Sequence, residues 1–115
     1  MKISEVTYSG PYGDYEDTKR EYAHGACWAF ALALHELFGV DVGWVTKGGI
    51  PIHGFAIMPD GSLQDVNGRN SLQDIQKKYK ADSFAIKVTP DQMANIASVD
   101  DSEIDDAKEF ISFLK

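Results

Sequence analysis

The chain has 115 residues, a length that by the usual prior builds one domain around a single modest core. Its hydrophobic content of 43% and its charged content of 25% are ordinary for a soluble globular protein. The formal charge of −7 argues against a general nucleic-acid binder, and no apolar run approaches the roughly 20 residues that span a bilayer.

The cysteine count and the N-terminal sequence set expectations about the cellular compartment. A single cysteine excludes an intramolecular disulfide and favours a reducing compartment. No signal-peptide hydrophobic region follows Met1 to Glu5, so we expect a cytoplasmic protein, or one that acts inside a host cell if it is an effector or phage protein. No metal or other cofactor is expected, because one cysteine and three dispersed histidines offer no zinc-binding spacing.

The first half of the chain predicts one central helix. Lys2 to Tyr8 alternates weakly and is a candidate edge strand, and residues 14–24 predict a loop or a short helix. From Ala26 to Phe38 the pattern is helical and apolar almost all round, which is typical of a helix covered on several sides. Gly39 follows, where a C-terminal cap glycine belongs. His35 lies in the last turn, where a non-catalytic role at the helix dipole is favoured.

The second half predicts a small antiparallel sheet and peripheral helices. Four strands are predicted, over 42–46, 50–58, 63–66 and 84–88. Three helices are predicted as well, over 71–79 with a Ser71 cap, from 90 to about 99 behind a Thr89 cap, and from an Asp101 or Ser102 cap to 114. The whole chain, 1–115, is therefore expected to form one α+β domain.

Cys27 stands at the start of the central helix. The unsatisfied N–H groups and positive dipole end of a helix N-terminus lower the pKa of a thiol and favour a nucleophile. The alternative is a structural residue, because cores accept cysteine readily as a small hydrophobe. A thiol nucleophile needs a base; His24 is too close along the chain and His35 lies at the far end of the helix. His53, on the strand beside the predicted hairpin, is therefore the candidate base.

The predicted hairpin indicates which polar group lies beside His53. A type I turn with a glycine bulge at positions 59–61 pairs Met58 with Ser62. On this register Asp65 shares a sheet face with His53 and lies diagonally across from it, within reach of an imidazole N–H. Asn67 lies directly opposite His53 and is the alternative partner. We favour Asp65, because a carboxylate also stabilises an imidazolium, although a shift of one residue would turn it to the other face.

These residues together suggest a family. The segment from Gly25 to Ala31, with Cys27 followed by Trp28 at a helix start, resembles the nucleophile segment of papain-like cysteine peptidases. The order Cys27, His53, Asp65 is similar to the wider papain-fold superfamily, which includes NlpC/P60 peptidases, transglutaminase-like enzymes and papain-fold toxins and effectors. The resemblance implies a minimal papain-like fold, with the cysteine helix packed on a small antiparallel sheet and without papain's large second lobe.

The resemblance also implies a chemistry. It identifies a thiol hydrolase or acyltransferase in which Cys27 attacks a carbonyl, His53 moves the proton and Asp65 orients His53. The bond attacked would be an amide, an isopeptide linkage or a glutamine side chain, so that the activity is that of a peptidase or a deamidase. The expected partner is a protein or peptide substrate, with no nucleic acid and no membrane. The alternative is a catalytically inactive papain-like fold that serves as a protein-binding or inhibitor module.

The resemblance places further residues around the thiol. Glu21 occupies the place of the family's oxyanion-hole glutamine, where an ionised carboxylate donates no hydrogen bond. The backbone N–H of Cys27 is one candidate donor, and His24 or Tyr22 is the candidate second donor. Three aromatic residues are candidate walls of a substrate cleft, although core packing is the favoured role of each: Trp28, Trp44 and Phe55.

Overall fold

The structure is a computed structural model that describes residues 9–23 and 25–112. Its strands and helices, in chain order, are β1 (Ser9–Gly10), β2 (Gly13–Asp14), α1 (Tyr15–Ala23), α2 (Cys27–Phe38), β3 (Asp41–Lys47), β4 (Ile50–Ile57), β5 (Leu63–Asp65), β6 (Gly68–Asn70), α3 (Leu72–Tyr79), β7 (Ser83–Val88), α4 (Pro90–Ala97) and α5 (Asp101–Ser112). The predicted α+β class is confirmed. The candidate strand from Lys2 to Tyr8 lies outside the described residues.

Five strands form one antiparallel sheet in the order β6-β5-β4-β3-β7, and β1 pairs with β2 separately. β4 pairs with β3 along nearly its whole length, but with β5 only near its C-terminal end. There Ala56 lies opposite Gln64, and the N–H of Met58 donates to the carbonyl of Ser62 at 2.8 Å. This is the predicted hairpin register. Among the described residues, no strand pairs with the remainder of this β4 edge.

β6 is a short strand that the sequence analysis missed. We expected the strand after the hairpin to reach Val66, with Asn67 directly opposite His53. This expectation is wrong, because β5 ends at Asp65 and the next two residues form a tight turn. The chain then reverses, so that Asp65 pairs with Gly68 at the start of β6. Asn67 lies in the turn and Gly68 begins β6, so this asparagine–glycine pair is part of a hairpin, which is a frequent use of the dipeptide.

The two faces of the sheet pack against different helices. Val42 and Ala56 face the larger core, to which α2 and α5 contribute most of the apolar side chains. Val45 and Phe55 face the opposite side, where Ile75 of α3 covers them. α2 is buried along most of its length, as its apolar circumference predicts. His53, which pairs with Val45 across the strands, lies on the α3 face.

The predicted N-caps of α3 and α4 are confirmed, since each cap side chain accepts a backbone N–H of its own helix. The cap of α5 differs from the expectation. Asp100, rather than Asp101 or Ser102, accepts the N–H of Glu103 at 2.9 Å. With several consecutive acidic or hydroxyl side chains, each could serve as a cap, and the sequence alone does not separate them.

Gly54 allows α2 to pack directly against β4. A Cβ at this position would lie 2.6 Å from Cε3 of Trp28, far inside van der Waals contact. Trp28 also meets Trp44 edge to face, with ring centroids 6.2 Å apart. The first turn of α2 is therefore fixed against the strand by an aromatic ring, and Cys27 is the residue just before that ring.

We expect Gly54→Ala to lower the free energy of unfolding by about 1–3 kcal/mol, because the added methyl group overpacks against the Trp28 ring. Urea denaturation followed by tryptophan fluorescence measures the change. Gly25→Ala is the matched control, because its Cβ would meet only the flexible carboxylate end of Glu21, at 3.1 Å. Equal losses of stability in the two variants would contradict the packing described.

Candidate active site

Cys27 lies where the start of α2 meets the unpaired part of the β4 edge. Its Sγ accepts the backbone N–H of Gly54 at 3.4 Å, a donor that a neighbouring strand would otherwise satisfy. The side chain is only 1% exposed. The sulfur is therefore held at the junction of a helix start and a strand edge, beside the main chain that joins Gly54 to His53.

Opposing effects set the pKa of the Cys27 thiol. Burial is the largest and raises the pKa to about 11. The N–H of Gly54 lowers it, the negative charge of Asp65 raises it, and the N–H groups of Trp28 and Cys27 lower it. The thiol is therefore protonated at neutral pH in this structure. The N–H groups around the sulfur are nevertheless the kind of donors that stabilise a thiolate.

His53 and Asp65 form a buried pair on the α3 face of the sheet. Nε2 of His53 lies 3.0 Å from Oδ2 of Asp65, and the two residues are 0% and 3% exposed. The second carboxylate oxygen accepts the backbone N–H of Asn67 at 2.9 Å, which fixes the orientation of the carboxylate. The predicted choice of Asp65 over Asn67 as the residue beside His53 is confirmed.

The other ring nitrogen of His53, Nδ1, has no hydrogen-bond partner within the part of the chain that the structure describes. Because the carboxylate of Asp65 accepts a hydrogen bond, Nε2 carries the proton, and Nδ1 of the neutral ring is an acceptor. Nδ1 is also the ring nitrogen nearer its own main chain, which leads directly into Gly54 and its contact with Cys27. The sulfur of Cys27 thus contacts the residue that follows His53, and Nδ1 and the sulfur are not hydrogen-bonded here.

Tyr79 covers the ring of His53. The two rings are stacked with centroids 4.0 Å apart and an interplanar angle of 16°. The Tyr79 hydroxyl donates to the carbonyl of Ala23 at 3.1 Å, which joins the end of α3 to the end of α1. Burial, followed by the negative charges of Asp65 and Cys27, raises the pKa of Tyr79 to about 12, so the hydroxyl keeps its proton.

The sequence analysis did not single out Tyr79, although a signal for it exists. Leu72, Ile75 and Tyr79 lie on one stripe of α3 at helical spacing, and all three pack beside the same core cluster. An apolar stripe of this kind packs on a sheet face, and in the structure it covers the face that carries His53. What the stripe does not reveal is which of the two sheet faces α3 covers.

An open cleft of about 330 Å³ lies on the outer side of Tyr79. Its remaining lining consists of two small or neutral residues and four charged ones: Ala23, Asn67, Glu16, Lys19, Arg20 and Lys78. Neither Cys27 nor His53 lines the cleft, whereas Tyr79 lines it and also stacks on His53. Tyr79 therefore contacts both the cleft and the imidazole.

The candidate cleft walls lie elsewhere. Trp28 and Trp44 pack against each other on the α2 face of the sheet, away from the face that carries His53. Phe55 is fully buried on the α3 face, in the cluster around Ile75. The favoured role of core packing is confirmed for these aromatic residues, and the cleft beside Tyr79 does not include them.

The remaining candidates are the three residues placed around the oxyanion, Glu21, Tyr22 and His24, and the histidine His35. Glu21 is exposed, and its main-chain carbonyl, rather than its carboxylate, accepts a hydrogen bond in the turn that leads into α2. Tyr22 is buried among aromatic rings of the larger core. His24 lies outside the described residues. Nδ1 of His35 donates to the carbonyl of Val40 at 2.7 Å, which supports its favoured non-catalytic role.

The buried thiol predicts a loss of stability in alkaline solution. The unfolded thiol titrates near its ordinary pKa of 9.0 and the folded thiol at about 11, so the unfolded state releases its proton first. The free energy of unfolding therefore falls as pH rises through this interval, by about 3 kcal/mol in total. We expect Cys27→Ser, which keeps an acceptor for Gly54 but does not titrate there, to lack this component. Parallel pH profiles of unfolding for the two proteins would contradict the burial of the thiol.

Removal of the Tyr79 ring is expected to expose the site. We expect Tyr79→Ala to label with iodoacetamide about fivefold faster than wild type at fixed pH, because stacking over the imidazole contributes roughly 1 kcal/mol to closure. Tyr79→Phe keeps the stacked ring and loses only the hydrogen bond to Ala23, so its rate is expected to change less. Identical rates in the alanine variant and wild type would show that another element closes the site.

Among the described residues, no group of three or more metal-ligating side chains is present, and no helix is long and apolar enough to cross a membrane. Comparison of the chain with family profiles, curated proteins and solved structures finds no match. The geometry of the site is therefore the observation that bears on function.

Proposed function

We propose that the protein is a small thiol hydrolase or acyltransferase with a minimal papain-like fold, acting on an amide, isopeptide or glutamine side-chain carbonyl of a protein or peptide. One observation carries the proposal. The Cys27 sulfur binds the N–H of the residue after His53, while Asp65 occupies one ring nitrogen of His53 and leaves the other free. This arrangement supports the proposed roles of Cys27 as nucleophile, His53 as base and Asp65 as the residue that orients the base.

The proposed reaction begins with proton transfer from the thiol of Cys27 to Nδ1 of His53. The thiolate attacks the substrate carbonyl carbon, and the electron pair of the C=O bond moves to oxygen. Nδ1–H then protonates the leaving nitrogen as the C–N bond breaks, which leaves a thioester on Cys27. Water or an acceptor amine attacks the thioester, His53 takes the proton, and the thiol is regenerated. Asp65 stabilises the transient imidazolium through Nε2–H.

The oxyanion of this reaction needs two donors. The backbone N–H of Cys27, at the start of α2, belongs to the group of helix N–H donors that have no intrahelical partner. Asn67 lines the cleft next to Tyr79, and its side-chain amide is the candidate second donor. Asn67 takes this role in place of Glu21, whose carboxylate is exposed and cannot donate.

The papain-like fold is supported by three features of the architecture. The cysteine begins a buried helix, this helix packs on an antiparallel sheet, and the histidine and aspartate follow on adjacent strands of that sheet. Trp28, the residue after the cysteine, packs onto the strand that carries His53.

The burial of the thiol favours the second candidate function, an inactive papain-like module that binds or inhibits another protein. Cys27 is almost fully buried, its pKa is raised, and its sulfur is not hydrogen-bonded to His53. The enzymatic proposal requires the site to open, so that water and substrate reach the sulfur and the surrounding N–H groups outweigh the effect of burial.

The pH dependence of iodoacetamide labelling distinguishes the two functions, with Tyr79→Ala as the parent so that access does not limit the rate. If His53 activates the thiol, labelling persists well below the ordinary thiol pKa of 9.0 and falls by about tenfold or more at neutral pH when His53→Ala is added. Asp65→Asn is expected to give a smaller decrease. His35→Ala is the matched control, because this histidine lies at the far end of α2 and serves a structural role.

A different profile would identify the inactive module. If the labelling rate rises only with alkaline ionisation of the thiol, and does so equally with and without the His53 ring, the enzymatic proposal is overturned. Mass spectrometry of the labelled protein assigns the site directly, because the chain contains one cysteine.

A further inference from the structure

We infer that the substrate of this site presents an acidic peptide segment, which binds the cleft beside Tyr79. The inference rests on the proposed function and adds to it the chemical class of the substrate. The charged lining of the cleft comprises three cations and one carboxylate: Lys19, Arg20, Lys78 and Glu16. The whole chain carries 18 acidic and 11 basic residues, so the cleft has the opposite charge balance from the molecule around it.

Two of these cations are available to a ligand. Arg20 is partly neutralised by Asp17, whose carboxylate oxygen lies 3.0 Å from the guanidinium. Lys19 and Lys78, by contrast, form no ion pair with any residue in the described ranges. They belong to α1 and α3 respectively, and both line the cleft. A ligand carboxylate in the cleft would be attracted by both ammonium groups, and Glu16 supplies the one carboxylate among the lining residues that opposes it.

The position of Lys78 links the cleft to the covered imidazole. Its Nζ lies 5.6 Å from the centroid of the Tyr79 ring, a cation–π contact. A ligand carboxylate that binds Lys78 competes with the ring for this ammonium group. Because the same ring is stacked on His53, an acidic segment in the cleft binds directly beside the group that must move to admit the substrate.

The dimensions and charge favour a peptide over a nucleic acid. A cleft of about 330 Å³ accommodates a few side chains rather than a long strand. Binding of a polyphosphate chain relies on an extended basic surface, which a chain of formal charge −7 is poorly suited to provide. The adjoining thiol site, moreover, is proposed to act on a carbonyl of a protein or peptide.

The test measures binding to the 115-residue chain carrying Cys27→Ser, which cannot form a thioester, so the result does not depend on catalysis. The probes are three capped pentapeptides, each with a central glycine flanked on both sides by two glutamates, two serines or two lysines. Isothermal titration calorimetry is expected to detect binding of the glutamate peptide alone, and raising the salt concentration is expected to weaken it.

Charge reversal then locates the binding site. Adding Lys19→Glu and Lys78→Glu together is expected to weaken binding of the glutamate peptide by about tenfold or more, since two attractions become repulsions. The matched control adds Lys47→Glu and Lys87→Glu, which make the same change in net charge at exposed lysines outside the cleft. Its affinity for the peptide is expected to stay near that of the parent.

Three results would overturn the inference: no binding of the glutamate peptide, equal weakening by both charge reversals, or tighter binding of a short single-stranded RNA that Lys19→Glu and Lys78→Glu abolish. The last result would assign the cleft to nucleic acid. The proposed function is tested separately by the labelling experiment. A reactive Cys27 with no peptide binding refutes only the substrate class, and peptide binding beside an inert Cys27 refutes only the enzyme.

Discussion

The arrangement of the site depends on the part of the β4 edge that no described strand pairs with. β5 pairs only with the end of this strand, so the N–H of Gly54 needs an acceptor from elsewhere, because buried backbone donors are rarely left unsatisfied. The sulfur of Cys27 supplies it. This contact is feasible because residue 54 has no side chain and Trp28 can lie directly on the strand. The absence of a side chain at Gly54 and the shortness of β5 thus allow the start of α2 to pack beside the strand that carries His53.

Two opposing effects, burial and nearby N–H groups, act on the protonation of the Cys27 sulfur. Three backbone N–H groups surround it and favour the thiolate, yet burial outweighs them and keeps the thiol neutral. On the other side of the strand, Tyr79 at the end of α3 is stacked on His53 and donates to the carbonyl of Ala23, a residue of the larger core.

The sequence predicts the parts of the site that depend on local rules. The turn chemistry at residues 59–61 sets the register of the hairpin, and the register places Asp65 beside His53. The approach of Cys27 to β4 depends on long-range packing of α2, which no local pattern specifies. The predicted position of Asn67, opposite His53, was wrong. β5 ends at Asp65 and a second tight turn follows, earlier than the alternating pattern of the sequence indicated. Tyr79 reaches His53 because α3 packs on this face of the sheet, which is again a long-range contact.

The closed arrangement of the site has a consequence for the durability of the sulfur. Oxidation of cysteine to sulfenic acid and beyond requires thiolate character and access of the oxidant. Cys27 lacks both in this structure, because it is buried and protonated. A chain with one cysteine has no second thiol with which to resolve an oxidised form as an intramolecular disulfide. The burial of Cys27 therefore protects its sulfur from peroxide, whether or not the site is catalytic.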